Sequence, residues 1–235
     1  MKKAYTLALI CFPLSAHADW EDVVDYVGDT FNISISKENY LDQPNNNNEL
    51  TYTIYGSHNL NETWRVFGQY DSDHFGELGL GYSFIVSDLI YNEVTVSVGG
   101  NMDDIGVYNS GIFSAIAWED YIFYTDVAIQ YTDRDVSVGR TESISLDKTI
   151  GSFYEVNDWV SLSLSYTHKM THYDKLTSEH RWLKNIYPLL TDNYYHYLSP
   201  GITVNVFGIK PTISYNYYFN NPDSNTIDFN LTFDF

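Results

Sequence analysis

Along most of its length the chain alternates apolar and polar residues over runs of eight to eleven positions, the period of a strand with one greasy face. The C-terminus is the clearest case: Ile227, Phe229, Leu231, Phe233 and Phe235 alternate with Asp228, Asn230, Thr232 and Asp234. The same two-faced text recurs at Phe31–Ser36, Leu50–Ile54, Val94–Val98 and Val160–Tyr166. Collecting all such runs predicts twelve strands, near 30–37, 50–57, 63–70, 77–85, 91–100, 110–118, 121–132, 141–154, 159–169, 193–206, 211–219 and 226–235. An even count returns both termini to one side. The sixth run is apolar on neither parity, and in the eighth Lys148 interrupts the face of Ile144, Leu146 and Ile150, so a bulge is expected in each.

The connections alternate in length. Those after even-numbered strands are short, centred on Asn59–Asn61, Ser87-Asp88, Glu119-Asp120, Asn157-Asp158 and Phe207-Gly208; the others, 38–49, 71–76, 101–109, 133–140, 170–192 and 220–225, are longer and polar. Short turns at one end and long loops at the other are the habit of an outer-membrane barrel, whereas a soluble sandwich has no reason to sort its loops by parity. Four short turns pair an acid with an aromatic at or near the next strand's start, giving Trp64, Tyr91, Tyr121 and Trp159 as an expected inner-side girdle.

The ends modify this picture. Residues 1–18 read as an export signal: Lys2 and Lys3, an apolar stretch from Ala4 to Phe12, and a small-residue cleavage site at Ala16-His17-Ala18. Residues 19–29 place Trp20, Val23, Val24 and Val27 at helical spacing and are expected to form a short periplasmic segment, leaving 30–235 for the barrel. The chain's one cysteine, Cys11, lies within the signal, so the expected mature chain has no disulfide to stabilise it. Beyond the signal no stretch is long and apolar enough for a membrane helix. Without Lys2 and Lys3 there remain ten basic against 31 acidic residues, a net charge of −21, which excludes nucleic acid as a partner through a basic field. Acidity of this order with few aromatics would point to disorder; 22 Tyr, 13 Phe and 5 Trp point to a folded β structure instead.

With its export signal, cysteine-free mature chain, alternating strands and terminal Phe233-Asp234-Phe235, the sequence resembles the outer-membrane β-barrels of Gram-negative bacteria. The resemblance implies an all-β, closed antiparallel transmembrane β-barrel of about twelve strands in the outer membrane. It also implies that Phe233 and Phe235 belong to the assembly signal read by the barrel insertion machinery. Size and strand count are similar to the small monomeric porins of the oligogalacturonate and sialic-acid channel type. Those carry rows of lumenal arginine and lysine, which this chain lacks.

Giving the apolar parity to lipid leaves an inward set that includes Arg65, Phe67, Glu93, Tyr124, Asp126, Tyr218, Asp228 and Asp234, together with Tyr55 and the hydroxyl row Ser161, Ser163, Ser165 and Thr167. The expected lumen is hydroxylated, mildly acidic and wet, with Arg65 its one clear base. This points to a porin-like channel for small cationic or neutral hydrophilic solutes. Two other classes stay open, a surface-binding or structural barrel and a barrel-embedded hydrolase built on Asp71-Ser72-Asp73-His74. No catalytic residue, cofactor or metal site is assigned. The outer-loop acids Asp71, Asp73, Asp103, Asp104, Asp133, Asp135 and Asp223 lack the spacing of a calcium loop. Loop 170–192 is expected to fold partly helically from Ser178 and overhang the mouth. The expected partners are outer-membrane lipid and lipopolysaccharide, the assembly machinery and small hydrophilic solutes, and the chain is expected to be a monomer.

Replacing Phe235 by Asp sets a charge against hydrocarbon and removes the terminal aromatic, so the yield of Phe235→Asp in the outer membrane should fall sharply relative to wild type. Wild-type yield on membrane fractionation would overturn the reading of the C-terminus.

Overall fold

The computed structural model describes residues 30–36, 51–101, 105–136, 139–174, 193–220 and 225–234. They form twelve strands: β1 Thr30–Ser36, β2 Thr51–Asn59, β3 Trp64–Asp71, β4 Gly76–Val86, β5 Ile90–Asn101, β6 Ile105–Trp118, β7 Tyr121–Val136, β8 Gly139–Asn157, β9 Val160–Asp174, β10 Asn193–Val204, β11 Ile209–Tyr218 and β12 Thr226–Asp234. Each pairs antiparallel with its chain neighbours, and β1 pairs with β12 from Thr30↔Asp234 to Ser36↔Asp228, which closes the barrel. The expected fold class is therefore the observed one.

Which face meets lipid follows from exposure. Leu78, Leu80, Val94, Val96, Val98, Leu162, Leu164, Ile213 and Ile227 are all exposed, whereas the buried apolar residues among those described are Tyr91, Val107, Ala115 and Ala117. An exterior this apolar, continuous around a closed barrel, is the surface of a protein solvated by hydrocarbon. Aromatics band it at two levels. At the short-turn end Trp64 meets Tyr82 with ring centroids 5.0 Å apart, Tyr121 meets Tyr154 at 4.5 Å, and Trp159 meets Phe207 at 6.3 Å. At the long-loop end stand Tyr52, Tyr70, Tyr108, Tyr166, Tyr194 and Tyr217. Tyr91, expected in the lower girdle, is instead buried inside the barrel, because regular pairing through Ile90 turns its side chain to the lumen.

The strands are strongly tilted. One register row starts at Trp118↔Tyr121↔Tyr154 in the lower girdle and continues through Leu162, Ile202, Ile213, Phe229 and Ile35 to Tyr52 in the upper one. A row perpendicular to the strands climbs across the bilayer only where register is staggered.

The short turns follow from local chemistry. Ser87 and Asp88, with φ of 57° and 52°, and Phe207 and Gly208, with φ of 55° and 86°, form paired left-handed corners that match the twist of the strands they join. Asn61 Oδ1 accepts from the Thr63 and Trp64 amides, and Asn157 Oδ1 from the Trp159 and Val160 amides. These asparagines close their turns as side-chain mimics of a backbone carbonyl.

Three expectations need correction. The sixth strand has no bulge: β6 pairs residue for residue with β5 and with β7. Its mixed parity arises because both faces are apolar, with Ile112 and Trp118 outward and Phe113, Ala115 and Ala117 inward. In β8 the irregularity lies between Glu155 and Asn157, beside the turn, and Lys148 sits in unbroken register facing outward. The long polar connections expected at 101–109 and 133–140 are largely strand. β5 runs to Asn101, β6 starts at Ile105, β7 reaches Val136 and β8 starts at Gly139, so these hairpins extend beyond the apolar band as paired ladders. The signal 1–18, segment 19–29, loop 38–49, the bulk of 170–192, Asp103, Asp104, Asp223 and Phe235 lie outside the described residues.

Ile213 faces lipid about five residues above its turn, roughly 12 Å at about 2.5 Å of height per tilted residue, close to mid-bilayer. Ile213→Arg should lower the unfolding free energy by about 2–4 kcal/mol in urea titrations of vesicle-inserted protein. An unchanged midpoint would place Ile213 away from hydrocarbon.

Candidate functional site

The inner wall is built by the parity opposite to the lipid face. At the short-turn end Arg65 on β3 donates from Nη2 to Glu93 Oε1 on β5 at 2.5 Å and from Nη1 to the Tyr55 hydroxyl at 2.8 Å. Glu93 is 1% exposed, and its second oxygen accepts from the Tyr91 hydroxyl at 3.0 Å, itself 2.7 Å from Ser83 Oγ. The pair therefore neutralises itself inside a hydrogen-bonded chain of four strands, β2 to β5. The guanidinium also lies over Phe67, 5.2 Å from the ring centroid, and Phe67 stacks on Tyr55 at 6.4 Å.

Glycines make room for these flat side chains. A Cβ at Gly79 would overlap the Phe67 ring, at Gly81 the Glu93 carboxylate, and at Gly151 the Tyr124 ring. Large groups thus lie against the wall instead of crossing the lumen.

Beside this network Tyr124 stacks on Phe113 at 5.8 Å and on Phe153 at 5.3 Å, and Ala115, Ala117, Ile122 and Tyr91 complete an apolar patch on β5 to β8. The lining is consequently less hydroxylated than the sequence led one to expect, and it is bulky at the short-turn end. The hydroxyl rows stand elsewhere: Thr149 and Thr167 meet at 2.9 Å, and Thr203 and Thr212 at 2.7 Å.

Four further carboxylates stand on the inner wall. Near the long-loop end of β4, Glu77 accepts from Gln69 Nε2 at 2.7 Å, from Asn109 Nδ2 at 2.5 Å and from Ser97 Oγ. Asp126 lies on the inward parity of β7 between Phe113 and Thr149. Asp228 on β12 accepts from Asn216 Nδ2 at 2.5 Å, and Asn216 Oδ1 accepts from Ser199 Oγ at 2.6 Å. Asp147 pairs with Lys169 Nζ at 2.8 Å. Tyr197 and Tyr218 meet at 4.8 Å on β10 and β11.

Arg65, Phe67 and Glu93 thus come together in one contact group, while Tyr124, Asp126, Tyr218 and Asp228 sit at separate stations on the inner wall. Asp234 pairs through its backbone with Thr30, and Phe233 faces outward against Phe31 at 6.1 Å. Arg65 is not the one inward base: Lys169 and Lys210 share that parity. Glu77, Asp147 and Tyr197 were missed because the fourth, eighth and tenth strands were left without a face, and Lys169 because the inward row of the ninth strand was followed only to Thr167. The signal was present in β4, where Leu78, Leu80 and Tyr82 alternate with Glu77, Gly79 and Gly81. The Asp71–His74 string is a turn: Asp71 Oδ1 accepts from the Asp73 and Phe75 amides at 2.9 and 3.0 Å, and His74 Nδ1 lies 3.0 Å from the Tyr70 hydroxyl on the outside.

Removing one partner of the buried pair leaves an uncompensated charge, so Glu93→Leu should destabilise the barrel by about 3 kcal/mol. Arg65→Met combined with Glu93→Leu should recover a large part of that loss in a double-mutant cycle on urea midpoints. Simple additivity of the two single variants would show that the pair is not coupled.

No protein-family model matches the sequence, and no curated protein matches it. Among solved structures the barrel is similar to the NanC porin, with a TM-score of 0.64 and 11% identity over 87% of this chain and 100% of that one. It is also similar to the KdgM porin in complex with disordered oligogalacturonate, with a TM-score of 0.56 and 7% identity over 88% of this chain and 98% of that one. At such identities the likeness bears on fold. Taken with the lipid-facing exterior and the sorted turns, it leads to one conclusion: the chain is an outer-membrane protein with the twelve-stranded barrel fold of the small porins.

Proposed function

We propose that this barrel is a porin-like channel for passive diffusion of small cationic or neutral hydrophilic solutes across the outer membrane. The observation that carries the reading is the inner wall itself. From Glu77 near one mouth, past Asp126 and the Thr149–Thr167 pair, to the Arg65–Glu93 network near the other, it presents hydrogen-bonding groups at every height. Side chains held flat over glycines take up less of the lumen, and such groups need water as a partner. The likeness in fold to two porins supports the same reading.

Charge placement gives the direction of selectivity. Glu93 and Asp147 are compensated by Arg65 and Lys169, whereas Glu77, Asp126 and Asp228 are hydrogen-bonded or flanked by neutral groups on the wall. Uncompensated carboxylates between low-dielectric walls hold a negative potential that salt screens less than it screens an exposed charge. A second reading, a closed barrel with a surface-binding role, is favoured by one feature, the packed Phe113–Tyr124–Phe153 stack at the short-turn end.

The reversal potential of the purified protein in a planar bilayer under a potassium chloride gradient distinguishes these. Cation preference is expected, shifting toward neutrality in Asp126→Asn combined with Asp228→Asn. Anion preference would overturn the selectivity, and absence of conductance would favour the closed barrel.

A further inference from the structure

One row on the lipid-facing surface is not accounted for by the apolar band. Lys148 on β8, His168 on β9 and His196 on β10 are register partners across three adjacent strands, all on the outward parity. The rings of His168 and His196 lie 6.1 Å apart, the Tyr166 hydroxyl is 3.4 Å from His196 Nδ1, and Phe219 meets His196 edge-on at 5.4 Å. Lys148 is exposed. Val127, Leu146, Ile150, Tyr166, His168 and Met170 surround it on that face, and no neighbouring position there is acidic.

Depth gives this row a chemistry. Lys148, His168 and His196 each stand about nine or ten residues along their strands from the short turn, roughly 23 Å up at about 2.5 Å per tilted residue. That is the outer edge of a hydrocarbon band about 25 Å tall, and Tyr108 and Tyr131 on β6 and β7 stand a similar number of residues from their short turn. An ammonium at this edge reaches the headgroup layer by extending its stem along the barrel wall. Imidazole N–H groups and a tyrosine hydroxyl beside it add donors, and a cation with several donors in one row is the arrangement that holds phosphate oxygens.

We infer that Lys148, His168 and His196, with Tyr166, form a docking site for the phosphate of an outer-leaflet glycolipid. Charge complementarity selects this occupant over a second copy of the chain, because a two-fold contact through this face would set one basic row against another. The site is independent of whether the lumen conducts.

The test is retention of lipid by the full-length protein in detergent micelles, read by native mass spectrometry. The probes are diphosphoryl lipid A, its dephosphorylated form and phosphatidylglycerol. Diphosphoryl lipid A should be retained, and binding should weaken about tenfold on removal of its phosphates or in Lys148→Gln combined with His168→Gln, the loss expected for a charge-assisted contact. His196→Asn, assayed separately, should weaken it in the same direction. Heat-dependent gel migration checks that each barrel is folded; both positions are on the surface, so folded barrels are expected. Equal retention by the variants, equal retention of the dephosphorylated lipid, or phosphatidylglycerol held as tightly as lipid A would overturn the assignment. So would a wild-type dimer that becomes monomeric in the double variant, which would assign the row to a contact between copies.

Discussion

Every other feature of this barrel depends on the pairing of β1 with β12. In hydrocarbon an unpaired amide or carbonyl costs several kcal/mol, so a sheet that crosses a bilayer cannot end in a free edge. The seven register pairs from Thr30↔Asp234 to Ser36↔Asp228 remove the last edge and join the two ends of the described chain. Once the sheet is closed, alternation ceases to be a statistical pattern and becomes an assignment of solvent, with odd and even positions of each strand facing lipid or lumen for its whole length. The same closure fixes the stagger, visible as the row that climbs from Trp118 to Tyr52.

The inner wall shows how a barrel of this width accommodates large side chains without a core. Phe67, Glu93 and Tyr124 each lie over a glycine of the adjoining strand, so their volume is taken up in the wall. The Arg65–Glu93 pair is stabilised by the same arrangement. Gly81 admits the carboxylate, Tyr91 donates to its second oxygen and Tyr55 accepts from the guanidinium, whose Nε has no hydrogen-bond partner among the described residues. Where β6 contributes alanines instead, at Ala115 and Ala117, the neighbouring rings of Phe113 and Tyr124 pack on them and the wall becomes apolar.

The sequence made the strands legible because lipid enforces a strict two-residue period, and it made their faces legible wherever one parity was clean, as in β5, β11 and β12. It concealed the face of β6, whose two sides are both apolar for different reasons, lipid outside and aromatic packing inside. Tyr91 misled for a related cause. An aromatic two residues past a turn suits a girdle, but whether it points to lipid or lumen depends on where the strand's pairing begins, and Ile90↔Val86 sets that. Pairings across the lumen wall, such as Glu77 with Asn109 or Asp147 with Lys169, were invisible because they depend on inter-strand stagger, which no single strand records. The extended β5–β8 hairpins were hidden for another reason, since beyond the bilayer the chain keeps its ladder but loses the apolar face that marked it.

Net charge acquires meaning only from these placements. In a chain with 31 acidic residues each base has abundant potential partners, and two inward bases, Arg65 and Lys169, are paired with carboxylates across the wall. Those pairs subtract from the lumenal field, so the acids that bear on it are those such as Glu77, Asp126 and Asp228, whose described neighbours are neutral, and not the total. Lys148 follows the opposite logic. A lysine confined by register to the lipid face, with valine, leucine, isoleucine and histidine around it, has no carboxylate beside it on that face among the described residues. The row of Lys148, His168 and His196 thus stands on the lipid face, apart from the carboxylates of the inner wall.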